Sequence, residues 1–469
     1  MSNEQEKVNR WFKKNPWNVP AFHERPHWTR RHFFELVGAG VTGAFLNQRY
    51  AKAADITASG VTTKNTAKNV IFILLAGAPS HTDLFDLKDA SVNAAPANLH
   101  KPATVNGIYF PTGLMPKLAN LTGDFAIARS VQAHAVVHTV CQTWVQIGRN
   151  PLAALGNIAP NLGSVVAIEK DGQRRPSDIF PTFLALNSSG AVNQGYFSAK
   201  YAPFKVNPAA AGIGNTTSPA TGGQTRFENR FKLMNSLDGD LRASSNGAPN
   251  DFSDYNDFYV DAKQLMYNPT VNQYFGFTTA DSQRYGSSAT GNAMLVASQI
   301  LKANLGTRYI QITSGDGWDM HQNIYASNVL PAKAAILDNG LSALIGDLKA
   351  NGLFDQTLIV MYGEFGRTVG PLTSQAGRDH WAQQFAFFAG GGVKGGTVVG
   401  ATDSLGRDTV DFGWSQKRYI YPEDIEATIY SAAGIDWTTV RHDDPLGRGF
   451  EYVPKTGAFP FYPVHELWG

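Results

Sequence analysis

The stretch that most constrains the fold begins at Asn69, where "NVIFILL" runs without a charge and stops at Gly77-Ala78-Pro79-Ser80. Successive side chains of a strand point to opposite faces, so a strand that is apolar throughout has both faces covered. That is the pattern of a parallel sheet flanked by helices. The same pattern returns in "FAIARSV" from Phe125, "RYIQITSG" from Arg308 and "TLIVMYG" from Thr357. A helical stretch, "NAMLVASQILKANLG", precedes the third of these. Another precedes the fourth, with Leu337, Leu341, Leu344, Ile345 and Leu348 at helical spacing and Gly352 as its C-cap. This alternation predicts an α/β fold, a three-layer α/β/α sandwich with a mostly parallel central sheet.

Between about 187 and 290 the rhythm breaks into Gly, Ser, Asn, Thr and aromatic residues, with helical signals in "ENRFKLMNSL" and "DYNDFYVDAKQLMY". A structureless run of that length is unusual, so the segment reads as an inserted cap on a domain spanning 55–469. Near the end, "YPEDIEATIYSAAGID" places Pro422 at the first turn of a helix that closes at Gly434. The chain has 469 residues, 43% of them hydrophobic, which is enough for a substantial core. Its 40 basic and 38 acidic residues leave no field to hold nucleic acid, which is excluded as a partner.

Residues 1–54 read as an export leader. In "TRRHFFELVGAGVTGAFL", Arg30-Arg31 precedes Phe33-Phe34 and a short apolar run, the twin-arginine pattern, and Ala51 to Ala53 form a small-x-small cleavage site. The run from Phe33 to Leu46 is shorter than the roughly 20 residues that span a bilayer. The expected location is periplasmic or extracellular, and a membrane tether through an uncleaved leader stays open. The single Cys141 reads as a small buried residue and permits no intrachain disulfide.

In a mostly parallel sheet, ligands bind beyond the carboxyl ends of the strands. The residues there are unusually polar: Ser80, His81, Asp83 and Asp86; Arg129, Ser130, His134 and His138; Asp316, Asp319 and His321; Glu364, Asp379 and His380. These loops hold five of the eleven histidines. Imidazole and carboxylate are ligands for zinc, manganese or iron and also serve as acids and bases. Convergence of the set in one cleft is therefore the expectation.

The series "LLAGAPSHTDLFD", "GWDMHQN", "GEFGRT", "GRDHW", "FFAGGGVKGGTVVGATD" and "IEATIYSAAGID" resembles the bacterial family called domain of unknown function 1501, over essentially the whole chain after the leader. That family is usually placed beside the sulfatases in the alkaline phosphatase superfamily and has no settled activity. The resemblance implies an alkaline phosphatase-like sandwich with a degenerate metal site. Active members of the superfamily end the first strand with a metal-binding Asp, where this chain has Ala76, and a later strand with Asp-His, where it has Glu364-Phe365. Asp319, His321 and His380, with Asp379 beside them, remain to hold one divalent ion, zinc, manganese or calcium.

At the spacing where sulfatases carry the cysteine that becomes an aldehyde, this chain has His138, which excludes that chemistry and leaves a nucleophile, ligand or base. Glu364 joins it as a catalytic candidate, and Arg129 and Arg378 could clamp an anionic ester bidentately. Two readings follow. One is an exported metal-dependent hydrolase of phosphate or sulfate esters, glycan esters included. The other is a non-catalytic binding or assembly protein that keeps the fold and acts with a protein partner.

Overall fold

Eight strands make one central sheet: β1 (Asn69–Leu75), β2 (Phe125–Gln132), β3 (Phe183–Leu186), β4 (Phe204–Val206), β5 (Tyr309–Ser314), β6 (Thr357–Tyr362), β7 (Gln383–Ala389) and β8 (Thr397–Val399). They lie in the order β8-β2-β7-β6-β1-β5-β3-β4. Every neighbouring pair is parallel except those of β7, which is antiparallel to both β2 and β6. The computed structural model describes residues 56–57, 59–188, 192–217, 221–243, 259–455 and 460–469. Arg30-Arg31 and the sequence at Ala51 to Ala53 lie outside them.

The continuous apolarity of β1 has a direct structural expression. Ile71, Ile73 and Leu75 join a core that contains Met294, Leu337, Leu341 and Ile345, on helices α3 (Ala289–Ala303) and α4 (Leu330–Ala350). Val70, Phe72 and Leu74 face the other way, into a core with Val165, Val166, Ile425 and Ile429 on α2 (Leu162–Lys170) and α5 (Pro422–Ala432). One buried strand thus feeds two helical layers, and the expected three-layer sandwich is present. Helix α1 (His138–Ile147) follows β2.

The stretch 187–290 supplies the edge strand β4 and the helices Gly223–Ala243, Pro269–Phe275 and Thr279–Arg284. Val271 and Phe275 bury against the α3 face. Among the described residues no helix is long and apolar enough to cross a membrane.

One buried acid in α5 makes stability depend on pH. Glu426 is 2% exposed; Tyr430 Oη donates to its Oε1 at 2.8 Å, while Oε2 has no partner. Burial pushes its carboxyl from an ordinary 4.5 up to about 8, against the lowering influence of Arg149. The folded state then keeps a proton that the unfolded chain releases, so stability falls as pH rises from 4.5 to about 8. The expected slope from this group approaches about 1.4 kcal/mol per pH unit inside that window. Denaturation of wild type and Glu426→Gln across the window checks this: the two curves should separate in favour of the Gln protein as pH rises, and parallel curves would contradict it.

Candidate metal centre

Because seven of the eight strands run one way, the loops after β1, β2, β5 and β6 leave the sheet at one edge. β7 runs the other way, so the residues leading into it, His380 and Trp381, start at that same edge. After β5, Ser314 Oγ donates to Asp316 Oδ2 at 2.5 Å and accepts from Trp318 Nε1 at 2.9 Å. Trp318 is fully buried, so the turn is anchored and Asp319 and His321 project at a fixed height. Opposite, Gly77 has φ +109°, and a Cβ there would lie 2.6 Å from the Asp319 backbone nitrogen. Only glycine lets the β1 loop approach the β5 loop so closely.

His138, Asp319, His321 and His380 meet with one ligand atom from each within 4.8 Å of the others. His321 Nε2 lies 2.9 Å from Asp319 Oδ1 and 3.1 Å from His380 Nε2. His138 Nε2 is 3.3 Å and His380 Nε2 3.8 Å from the same carboxylate oxygen. The far nitrogen of each ring is anchored to an oxygen. His138 Nδ1 is 2.6 Å from Glu364 Oε1, His321 Nδ1 is 2.9 Å from Asp379 Oδ1, and His380 Nδ1 is 2.8 Å from the Val136 carbonyl. With the proton on Nδ1, towards these acceptors, each neutral ring would offer its Nε2 lone pair to the cluster. His138 Nε2 is buried without a hydrogen-bond partner.

The surroundings hold this arrangement in place. Glu364 is fully buried and accepts from the Gly77 N–H at 2.9 Å and from Gln142 Nε2 at 2.9 Å, so its carboxylate is fixed before it meets His138. Phe365 packs against both His138 and His380, with ring centroids 4.8 and 4.7 Å away, while the two imidazoles meet edge to face at 4.4 Å. The hydrogen bond with Glu364 raises the pKa of His138 against the effect of burial. Burial would raise the Asp319 carboxyl, but the hydrogen bond and charge of Arg367 prevail and hold it below its ordinary value.

The candidates divide. Asp319, His321 and His380 are brought together, with His138 as a fourth member of the cluster and Glu364 and Asp379 as the acids behind two of its rings. The two arginines are not brought to it. Arg378 is fully buried and its guanidinium is bonded to Asp83, Thr368, Asn93 and Tyr325. Arg129 donates to the Phe85 carbonyl at 2.9 Å and lies 3.5 Å from Asp86. His134 turns away to Glu423 and stacks between Trp144 and Tyr421. Arg367 was not anticipated. Its only sequence signal is its place in "GEFGRT", three residues beyond Glu364 at a strand end.

No curated protein matches the chain. Among solved structures it is similar to a sulfatase from Pseudoalteromonas sp. (12% identity, 87% of this chain and 72% of that one, TM-score 0.37). It is also similar to a protein of the alkaline phosphatase superfamily from Vibrio parahaemolyticus (10%, 82% and 70%, TM-score 0.34). A third is the C-terminal periplasmic domain of EcEptC from Escherichia coli in complex with zinc (10%, 81% and 85%, TM-score 0.36). These likenesses are too distant to carry a functional reading. The sequence itself is decisive for kinship: residues 67–454 match one family model, and the chain belongs to the family described as protein of unknown function, DUF1501.

Proposed function

We propose that the centre holds one divalent metal ion and that the protein hydrolyses a phosphate or sulfate ester. One observation carries the reading: three Nε2 lone pairs and a carboxylate oxygen converge. With Nδ1 protonated in each ring, the Nε2 atoms of His321 and His380, 3.1 Å apart, and Asp319 Oδ1, 2.9 Å from the first, are mutually repulsive donors that a divalent ion would join, beyond the contacts Arg367 makes to two of them. The His/Asp donor set suits zinc or manganese, and the acceptors behind each ring fix tautomer and orientation as metal-binding imidazoles require. A bound ion supplies Lewis acidity to an ester oxygen or to an attacking water.

The chain's own residues do the rest. Glu364, Asp379 and the Val136 carbonyl keep the imidazoles facing inward, and Phe365 keeps water from their flanks. His138 opens helix α1, whose N-terminus has no side-chain cap, so that end's partial positive charge favours an anionic group beside the cluster.

A non-catalytic binding role is the second reading, favoured by Ala76 and Phe365, which stand where active members of the superfamily carry metal ligands. Elemental analysis of the purified protein, with an assay on aryl phosphate and aryl sulfate esters, separates them. One divalent ion per chain with turnover is expected. An ion without turnover supports the binding role, and no ion under any loading condition defeats both the metal assignment and the hydrolase. The periplasmic or extracellular location rests on residues 1–54, and delivery should fail when Arg30 and Arg31 are both replaced by Lys; unchanged export would overturn it.

A further inference from the structure

Arg367 has the surroundings of a bound cation. It is fully buried, and its five N–H groups have five acceptors. Nε donates to the Ala78 carbonyl at 2.7 Å and Nη1 to the Arg378 carbonyl at 3.2 Å. Nη2 donates to the Gly77 carbonyl and, at 2.5 Å, to Asp319 Oδ1. The fifth contact, Nη1 to His321 Nε2 at 3.3 Å, is the one that an ion bound on that nitrogen would replace. Three carbonyl oxygens and a carboxylate oxygen are the ligand set of a hard divalent cation, here closed around a guanidinium.

The local fold brings this about. Gly366–Arg367 pairs antiparallel with His380–Trp381, and Arg367 lies opposite His380 in that register. A Cβ on Gly366 would come 1.8 Å from the Gln383 carbonyl oxygen, so the close pairing needs glycine. The result is that Asp319 Oδ1 is shared by the guanidinium and the three imidazoles.

We propose that Arg367 is a built-in cation of the centre, filling an oxygen cage next to the imidazole cluster so that only one dissociable metal ion is taken up. The inference rests on the reading of the cluster as a metal centre. Arg367 is a positioning residue: it holds Asp319 Oδ1 beside the imidazoles and closes the neighbouring cage to a second ion. With a divalent ion in the cluster, the formal charges of Asp319, Glu364, Asp379 and Arg367 sum with it to zero, so an anionic ester meets no net repulsion. Without Arg367 the sum is negative.

The test is titration of chelator-stripped protein with Mn2+, followed by calorimetry and by elemental analysis after desalting. Wild type should take up one ion per chain. Arg367→Ala, which leaves the cage and removes its occupant, should take up two, and sub-denaturing guanidinium ion should displace the added one by refilling the cage. Arg367→Lys, which keeps a charge and tests the same point should the Ala protein not fold, should take up one. A wild type that binds two ions, an Arg367→Ala protein that binds one with unchanged affinity and no response to guanidinium, or an Arg367→Lys protein that binds two would overturn the inference while leaving the metal centre intact. A wild type that binds none overturns both.

Discussion

In the Asp319→Ala protein, Mn2+ or Zn2+ affinity should fall by more than about 100-fold, beyond the about 10–100-fold that accompanies loss of an outer hydrogen-bond partner of a metal ligand. Asp319 contributes the only carboxylate oxygen inside the four-residue cluster, and the same atom is, among the described residues, the only carboxylate oxygen hydrogen-bonded to Arg367. Truncation removes a ligand and also leaves a buried guanidinium uncompensated beside the three imidazoles, which raises the cost of bringing in a second positive charge. Asp319→Asn keeps an acceptor for Arg367 but not the charge, and its affinity should fall between those of wild type and Asp319→Ala. Glu364→Gln supplies the internal comparison. Its carboxylate stands behind His138 Nδ1 and not among the ligand atoms, so its loss should stay within about 10–100-fold. Equal affinities for wild type and Asp319→Ala in calorimetric titrations would remove the cluster as the metal centre.

The parts of this structure that were legible in the sequence are those written in side-chain periodicity. The unbroken apolar run of β1 specified two covered faces, and Leu337, Leu341, Leu344, Ile345 and Leu348 specified the buried stripe of α4. The strand β7, "QQFAFFA", was not marked as a strand, and its reversed direction has no signature in periodicity: a strand buried on both faces reads the same whichever way it runs. Yet that reversal is what returns His380 to the edge where Asp319 and His321 emerge. The convergence of His138, Asp319, His321 and His380 could be anticipated from their positions after strands, because strand ends in a parallel sheet share an edge. The fates of the arginines could not. Arg129, Arg367 and Arg378 are alike as letters, and what separates an anion clamp from a buried brace is whether carbonyl oxygens surround the guanidinium. Those carbonyls include the ones of Gly77, Ala78, Phe85, Asn93, Thr368 and Arg378, whose side chains carry no hint of it.

Arg378→Ala should destabilise the protein by about 3–5 kcal/mol, the cost of breaking a buried ion pair by removing one partner. Arg378 Nε donates to Asp83 Oδ2 at 3.1 Å, and both side chains are fully buried. Asp83 is also held by Ser80 Oγ at 2.6 Å, His100 Nε2 at 3.0 Å and Tyr325 Oη at 2.9 Å, so it cannot rotate out to water when the guanidinium goes. Burial would raise its carboxyl pKa, but the bond from His100 and the charge of Arg378 keep it below the ordinary value. Arg378 also donates from Nη1 to Thr368 O at 2.9 Å, within the loop that carries Asp379 and His380, and from Nη2 to Asn93 O at 2.7 Å, which ties that loop to the segment after β1. A second consequence separates this brace from an ester clamp. Metal affinity should drop in Arg378→Ala because His380 and the Asp379 carboxylate behind His321 lose their support, and the metal-loaded variant should keep the KM of wild type for an aryl phosphate. Adding Asp83→Asn should recover part of the lost stability by removing the orphaned charge, a coupling that denaturant unfolding of the four proteins in the cycle would measure. Additive losses, or a raised KM with unchanged stability, would return Arg378 to the role of an anion-binding residue.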